Sequence, residues 1–77
     1  MKIELVFNES ANSLIVETDK TIEEAKNYYC GSHLDIGSDD CPCIDKVIIM
    51  YVYDNEGNII KRFDQWGNEF QKSWFGK

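Results

Sequence analysis

The residues best suited to chemistry lie close together in this 77-residue chain. All three cysteines and the single histidine fall within residues 30–43, as Cys30, His33, Cys41 and Cys43. Three thiolates and one imidazole form a ligand set that structural zinc sites use. A C-x-x-H pair at a helix end and a C-x-C pair in the loop beyond it could reach one ion. The pattern therefore predicts a structural zinc site.

The spacing leaves two alternatives to zinc open. Zinc-binding pairs usually separate their ligands by two to four residues in both halves, and a C-x-C pair is closer than that. In one alternative the thiols are free. In the other, Cys30 forms a disulfide with Cys41 or Cys43, which needs an oxidising compartment. The same cysteines could serve a thiol-based redox or regulatory module, but nearby negative charge disfavours reactive thiolates.

That negative charge comes from aspartates in the same stretch, namely Asp35, Asp39, Asp40 and Asp45. Their spacing does not match a calcium-binding loop, so we predict a solvated acidic loop. The whole chain has a formal net charge of −6, which disfavours direct binding to nucleic acid. We therefore expect a protein partner with a basic surface, contacted by Asp35, Asp39 and Asp40. The alternative is that this charge only keeps a small domain soluble.

Aromatic residues are concentrated near the C-terminal end of the sequence, as Trp66, Phe70, Trp74 and Phe75. Trp66, Phe70 and Trp74 are candidate contacts for a partner, and the alternative is that they cover the core. A catalytic constellation is not apparent. His33 has no identifiable serine nucleophile and orienting acid, and a phosphate-binding glycine loop is absent. We therefore predict a protein that is not an enzyme.

Hydrophobic patterning predicts an α+β domain. Alternating residues predict strands at 2–7 and 14–18, paired as an antiparallel hairpin. Thr21 and Glu24 form a capping-box pattern that predicts a helix over residues 21–30. The remaining assignments are a loop at 31–45, a strand with two apolar faces at 46–53, and a strand at 59–63. The order ββαββ predicts an antiparallel four-stranded sheet with one helix on one face and an aromatic C-terminal tail. An internal repeat is not expected.

The length allows one domain over residues 1–77. A run of about 18 apolar residues, which a membrane span would need, is missing, and so is the pattern of a secretory signal. We therefore expect a cytoplasmic protein without a membrane partner. A homodimer that completes its sheet through an edge strand is a further alternative.

Two stretches of the sequence resemble a known group of proteins. They are Thr-Ile-Glu-Glu-Ala-Lys at the helix start, and Val-Ile-Ile-Met-Tyr-Val-Tyr-Asp-Asn-Glu-Gly-Asn-Ile-Ile-Lys-Arg after the loop. Over residues 1–64 the arrangement resembles small ββαββ proteins of phages and mobile elements, some of which are anti-CRISPR inhibitors. The resemblance implies a non-catalytic protein that docks on a larger complex and masks a nucleic-acid-binding surface. It assigns no role to individual residues, because the shared positions are helix-cap and turn residues.

Overall fold

The structure is a computed structural model that describes residues 1–10 and 12–70. It is an α+β fold with an antiparallel sheet and one helix, as predicted. The elements are β1 (Lys2–Phe7), β2 (Leu14–Glu17), α1 (Ile22–Tyr29), β3 (His33–Asp35), β4 (Ile44–Tyr53) and β5 (Ile59–Asp64). In this part of the chain, no helix is long and apolar enough to cross a membrane. Trp74 and Phe75 of the expected tail lie outside the described residues.

The described sheet has five strands, one more than predicted. The strand order is β2–β1–β4–β3, and β5 also pairs with β4. β1 and β5 pair with the same stretch of β4, and so they lie on opposite sides of it. The carbonyl of Lys46 accepts a hydrogen bond from Asn8, next to β1, whereas the N–H and C=O of Val47 bond to Ser32 and Gly31. β3 therefore lies on the same side of β4 as β5.

β3 corrects the prediction that residues 31–45 form a loop. Its three residues pair with the start of β4, as His33 with Lys46, Leu34 with Asp45, and Asp35 with Ile44. We call residues 33–46 the acidic hairpin. A three-residue strand with polar ends has no long alternating pattern of its own, because its pairing is decided by the partner strand. The sequence therefore gave no local sign of it.

Pairing within the acidic hairpin continues beyond β3 towards its tip. The N–H of Ile36 donates to the carbonyl of Cys43 at 2.8 Å. Ser38 and Cys41 exchange two backbone hydrogen bonds of 3.1 and 3.2 Å. The hairpin consequently closes in a two-residue turn at 39–40. This turn carries two adjacent carboxylates to the end of a paired, regular segment.

The core lies between α1 and one face of the sheet. Its buried hydrophobic side chains in this cluster are Ile3, Leu5, Phe7, Ala25, Val47, Met50, Val52 and Phe63. Leu5 is paired with Met50 and Met50 with Phe63, so three strands present one continuous apolar row. Burial of each large side chain contributes about 1.5–3 kcal/mol. This row fixes which side chains of the sheet face outward.

The helix begins with the predicted capping box. The Thr21 hydroxyl accepts a hydrogen bond from the Glu24 N–H at 3.2 Å, and the Glu24 carboxylate accepts one from the Thr21 N–H at 3.1 Å. Just beyond the helix, Gly31 has a φ of 76°, in the left-handed region. A Cβ on Gly31 would lie 2.6 Å from the carbonyl oxygen of Gln65. The helix end is therefore in close contact with the end of β5.

Two turns in the second half of the chain share one pattern, Asp-x-x-Gly-Asn, at residues 54–58 and 64–68. In each turn the aspartate N–H donates to the asparagine carbonyl at 2.9 Å, and the asparagine N–H donates to the aspartate Oδ1 at 2.9 Å. Their glycines have φ values of 86° and 81°. The expectation of no internal repeat is therefore wrong. Residues 54–58 and 64–68 are one turn used twice, and each copy follows a strand of the sheet.

Candidate functional site: the acidic hairpin and its cleft

The structure does not gather the four predicted zinc ligands. Cys30 is the C-cap of α1 and half-buried, whereas His33, Cys41 and Cys43 are exposed on the acidic hairpin. His33 is paired with Lys46, and side chains alternate along a strand, so Cys43 faces the opposite side of the hairpin from His33. Within the part of the chain that the structure describes, no group of three or more His, Cys, Asp or Glu side chains is placed to hold a metal ion. The four-ligand zinc site stays a prediction, and it requires the hairpin to change conformation.

Cys30 differs from the other two cysteines in its surroundings. All three carry free thiols. The pKa of Cys30 is raised to about 11, mainly by burial and in smaller part by the Asp64 carboxylate, and Lys26 offsets only part of this rise. The thiolate is the form that attacks electrophiles and binds metals. Cys30 is therefore a packing residue at neutral pH.

We expect the three thiols to divide into two classes in the folded protein. Cys41 and Cys43 should react quickly with a disulfide reagent such as Ellman's reagent, because both are exposed. Cys30 should react about a hundredfold more slowly, because its thiolate is scarce at pH 8. Stopped-flow absorbance measures both phases, and Cys30→Ser should remove the slow phase alone. Three equal rates would contradict the burial of Cys30.

A cleft of about 340 Å³ opens between the acidic hairpin and the loop that joins β1 to β2. Phe7, Leu14 and Ile36 contribute apolar surface to its lining. Its polar lining residues are Ser10, Asn12, Ser13 and Asp35. Long basic side chains lay an aliphatic stem on apolar surface and keep a cationic head near polar groups. The mixed apolar and polar lining of the cleft therefore suits an arginine or lysine side chain.

Asp35 organises the hairpin and is also one of the residues that line the cleft. Its Oδ1 accepts hydrogen bonds from the N–H groups of Gly37 at 3.0 Å and Cys43 at 3.2 Å. Its Oδ2 accepts no hydrogen bond from the described residues. Asp35 is exposed, so this second oxygen can accept a charge-assisted hydrogen bond from a cation.

Asp39 and Asp40, the other predicted contact residues of the hairpin, form its exposed tip. Neither takes part in the ion pairs found among the described residues. Together with Asp35 they place three carboxylates on one paired segment, in agreement with the exposure expected of them.

Asp45 corrects part of the prediction of a solvated acidic loop, because it is only 6% exposed. Its carboxylate accepts hydrogen bonds from the N–H groups of Lys46 and Ser10 at 2.8 Å, and of Glu9 at 3.2 Å. Burial opposes ionisation, but these hydrogen bonds outweigh it and hold the pKa of Asp45 below its usual value. Asp45 thereby positions Ser10, which lines the cleft. The sequence did carry a signal, since alternation back from Val47 puts Asp45 on the inner face.

The predicted aromatic contacts have different positions. Trp66 is 75% exposed in the second Asp-x-x-Gly-Asn turn, where its backbone N–H donates a hydrogen bond to the Asp64 carboxylate at 3.0 Å. Phe70 is only 6% exposed and its N–H donates to the carbonyl of Arg62, which favours the alternative of core cover. Trp74 lies outside the described residues. Trp66 is thus an exposed aromatic side chain on a well-bonded turn.

Comparisons with protein-family models, with curated protein sequences and with solved structures find no match to this chain.

Proposed function

We propose that this protein is a non-catalytic binding module that docks on a basic surface of a larger protein. The observation that carries the proposal is the cleft beside the acidic hairpin, whose lining combines apolar residues with the acidic residue Asp35. An arginine or lysine of the partner would lay its stem against Phe7 and Leu14 and direct its charged head to Asp35. Asp39 and Asp40 would contact neighbouring basic residues of the partner.

Exposed apolar residues next to the cleft support a protein partner. Leu14 and Ile15 are 42% and 51% exposed on β2, which forms one edge of the sheet. Leu14 also lines the cleft. Protein interfaces commonly combine a small apolar centre with a polar, charged rim. The edge of β2 and the acidic hairpin provide these two parts side by side.

The net charge of −6 supports the choice of a basic partner surface. Opposite charge steers association and disfavours wrong partners. Surfaces that bind nucleic acid are basic, because they neutralise phosphates. An inhibitor that masks such a surface, the function implied by the resemblance to phage and mobile-element proteins, is therefore the form of this proposal that we favour.

A titration with a tetra-arginine peptide tests the cleft as the docking site. We expect amide chemical shifts of the ¹⁵N-labelled protein to change around Leu14, Asp35 and Gly37. Affinity should fall as salt rises from low to physiological concentration, where the screening length is about 8 Å. Asp35→Asn should weaken binding about two- to fivefold, in the range of an exposed charge pair.

The matched control is Asp19→Asn, which removes the same charge from an exposed position outside the cleft. It should reduce binding less than Asp35→Asn does. Equal losses in the two variants, with shift changes spread over the whole molecule, would contradict the cleft and leave only unspecific charge attraction.

A further inference from the structure

Cys41 and Cys43 form a pair of exposed thiols on one arm of the acidic hairpin. The N–H and C=O of Cys41 both bond to Ser38 across the hairpin. The carbonyl of Cys43 accepts a hydrogen bond from Ile36, and its N–H donates to Asp35. Both cysteines thus turn their backbone groups towards the facing arm of the hairpin. Their side chains therefore share one face of the hairpin.

The backbone that carries the two thiols is closely packed. A Cβ on Gly37 would lie 2.2 Å from the carbonyl oxygen of Cys41 and 2.6 Å from the nitrogen of Cys43. The two arms of the hairpin therefore touch through the backbone. Pro42, between the cysteines, has a fixed φ. A pair held in this way loses little conformational freedom when it binds a ligand.

The geometry suits a shared cation better than a disulfide. Alternate Cα atoms of a strand are about 6.6 Å apart, close to the upper limit of about 6.8 Å for disulfides. Two sulfurs that each bind one metal at about 2.3 Å can be up to about 4.6 Å apart. His33 faces the other side of the hairpin and Cys30 lies at the helix end, so neither adds a third ligand.

We propose that Cys41 and Cys43 bind one Cu(I) ion as a two-thiolate site. Thiolates are soft ligands that select Cu(I), for which two-coordination is ordinary chemistry. Binding deprotonates both thiols, so two protons are released for each ion and the bound group carries one negative charge. This site does not depend on the proposed docking function.

Anaerobic competition with a coloured Cu(I) chelator, bicinchoninate, tests the site. The reduced protein should withdraw one Cu(I) per chain. Cys41→Ser and Cys43→Ser should each lower the Cu(I) affinity about a hundredfold or more. Cys30→Ser and His33→Ala should leave it unchanged. Melting curves of the copper-free variants separate a lost ligand from a lost fold.

Two results would overturn the two-thiolate site. The first is that the protein withdraws no Cu(I) from the chelator. The second is that His33→Ala or Cys30→Ser reduces metal binding as much as Cys43→Ser does. A parallel titration with Zn(II) distinguishes the two kinds of site. Tight zinc binding that needs all four residues would establish the four-ligand site instead of the two-thiolate site.

Discussion

Gly31→Ala is expected to destabilise the fold by about 2–5 kcal/mol, a large share of the stability of a domain this small. Gly31 has a φ of 76°, and a left-handed conformation costs a residue with a side chain about 1–2 kcal/mol. The new Cβ would also lie 2.6 Å from the carbonyl oxygen of Gln65. A backbone atom cannot rotate away, so overpacking adds about 1–3 kcal/mol.

Two other glycines of similar conformation serve as matched controls. Gly57 has a φ of 86° with nothing within 4 Å of the new Cβ, so Gly57→Ala should cost only the conformational part. At Gly67 the new Cβ would meet the flexible Lys26 side chain at 3.4 Å, so its loss should be only slightly larger. Urea unfolding of the three variants measures how much free energy of unfolding each one loses, and the loss should be largest for Gly31→Ala. Equal losses at Gly31 and Gly57 would show that the helix end is not packed against the end of β5.

Asp45→Asn is expected to make the protein less stable at neutral pH and less sensitive to acid. Burial opposes the charge of Asp45, but backbone hydrogen bonds hold its pKa below the usual value. A carboxyl with a lowered pKa adds stability above its unfolded value of about 4. That stability is lost as the pH falls through the folded value. The asparagine variant has no such charge to lose.

Urea unfolding between pH 7 and pH 3 measures the effect. As the pH falls, the free energy of unfolding of the wild type should decrease more steeply than that of Asp45→Asn. Hydrogen bonds from Ser13 and Tyr53 also lower the pKa of Glu4, and those within its turn lower the pKa of Asp54, so part of the acid dependence should persist. Asp39→Asn, at the exposed tip, should stay within about 0.5 kcal/mol of the wild type. A variant with the wild-type acid profile would show that Asp45 is not held as described.

Elements governed by local rules could be predicted from the sequence. The capping box of Thr21 and Glu24 correctly predicted the start of α1, and the strict alternation of apolar residues correctly predicted β1. β3 could not be predicted in this way. Its three residues become a strand because β4 offers them a partner, and that partner is set by contacts between distant parts of the chain.

The candidate site, too, could be predicted only in part from the sequence. Residue types identified the thiols and carboxylates of the acidic hairpin, but the face that each occupies depends on register. Pairing of His33 with Lys46 puts Cys43 on the opposite face, which spacing along the chain does not reveal. Asp45 looked like one more solvated aspartate, yet it lies on the inner face two residues before Val47.

The repeated turn of residues 54–58 and 64–68, with the strand β5 between its two copies, has a consequence for how this protein can change in length. Each copy contains the aspartate, glycine and asparagine that close it, so its shape depends on bonds within the turn. One further strand widens a sheet by about 4.8 Å. A tandem duplication of ten residues in the gene would therefore supply both a new strand and the turn that aligns it. A ten-residue step preserves the spacing from one turn to the next, so this edge favours growth by that length.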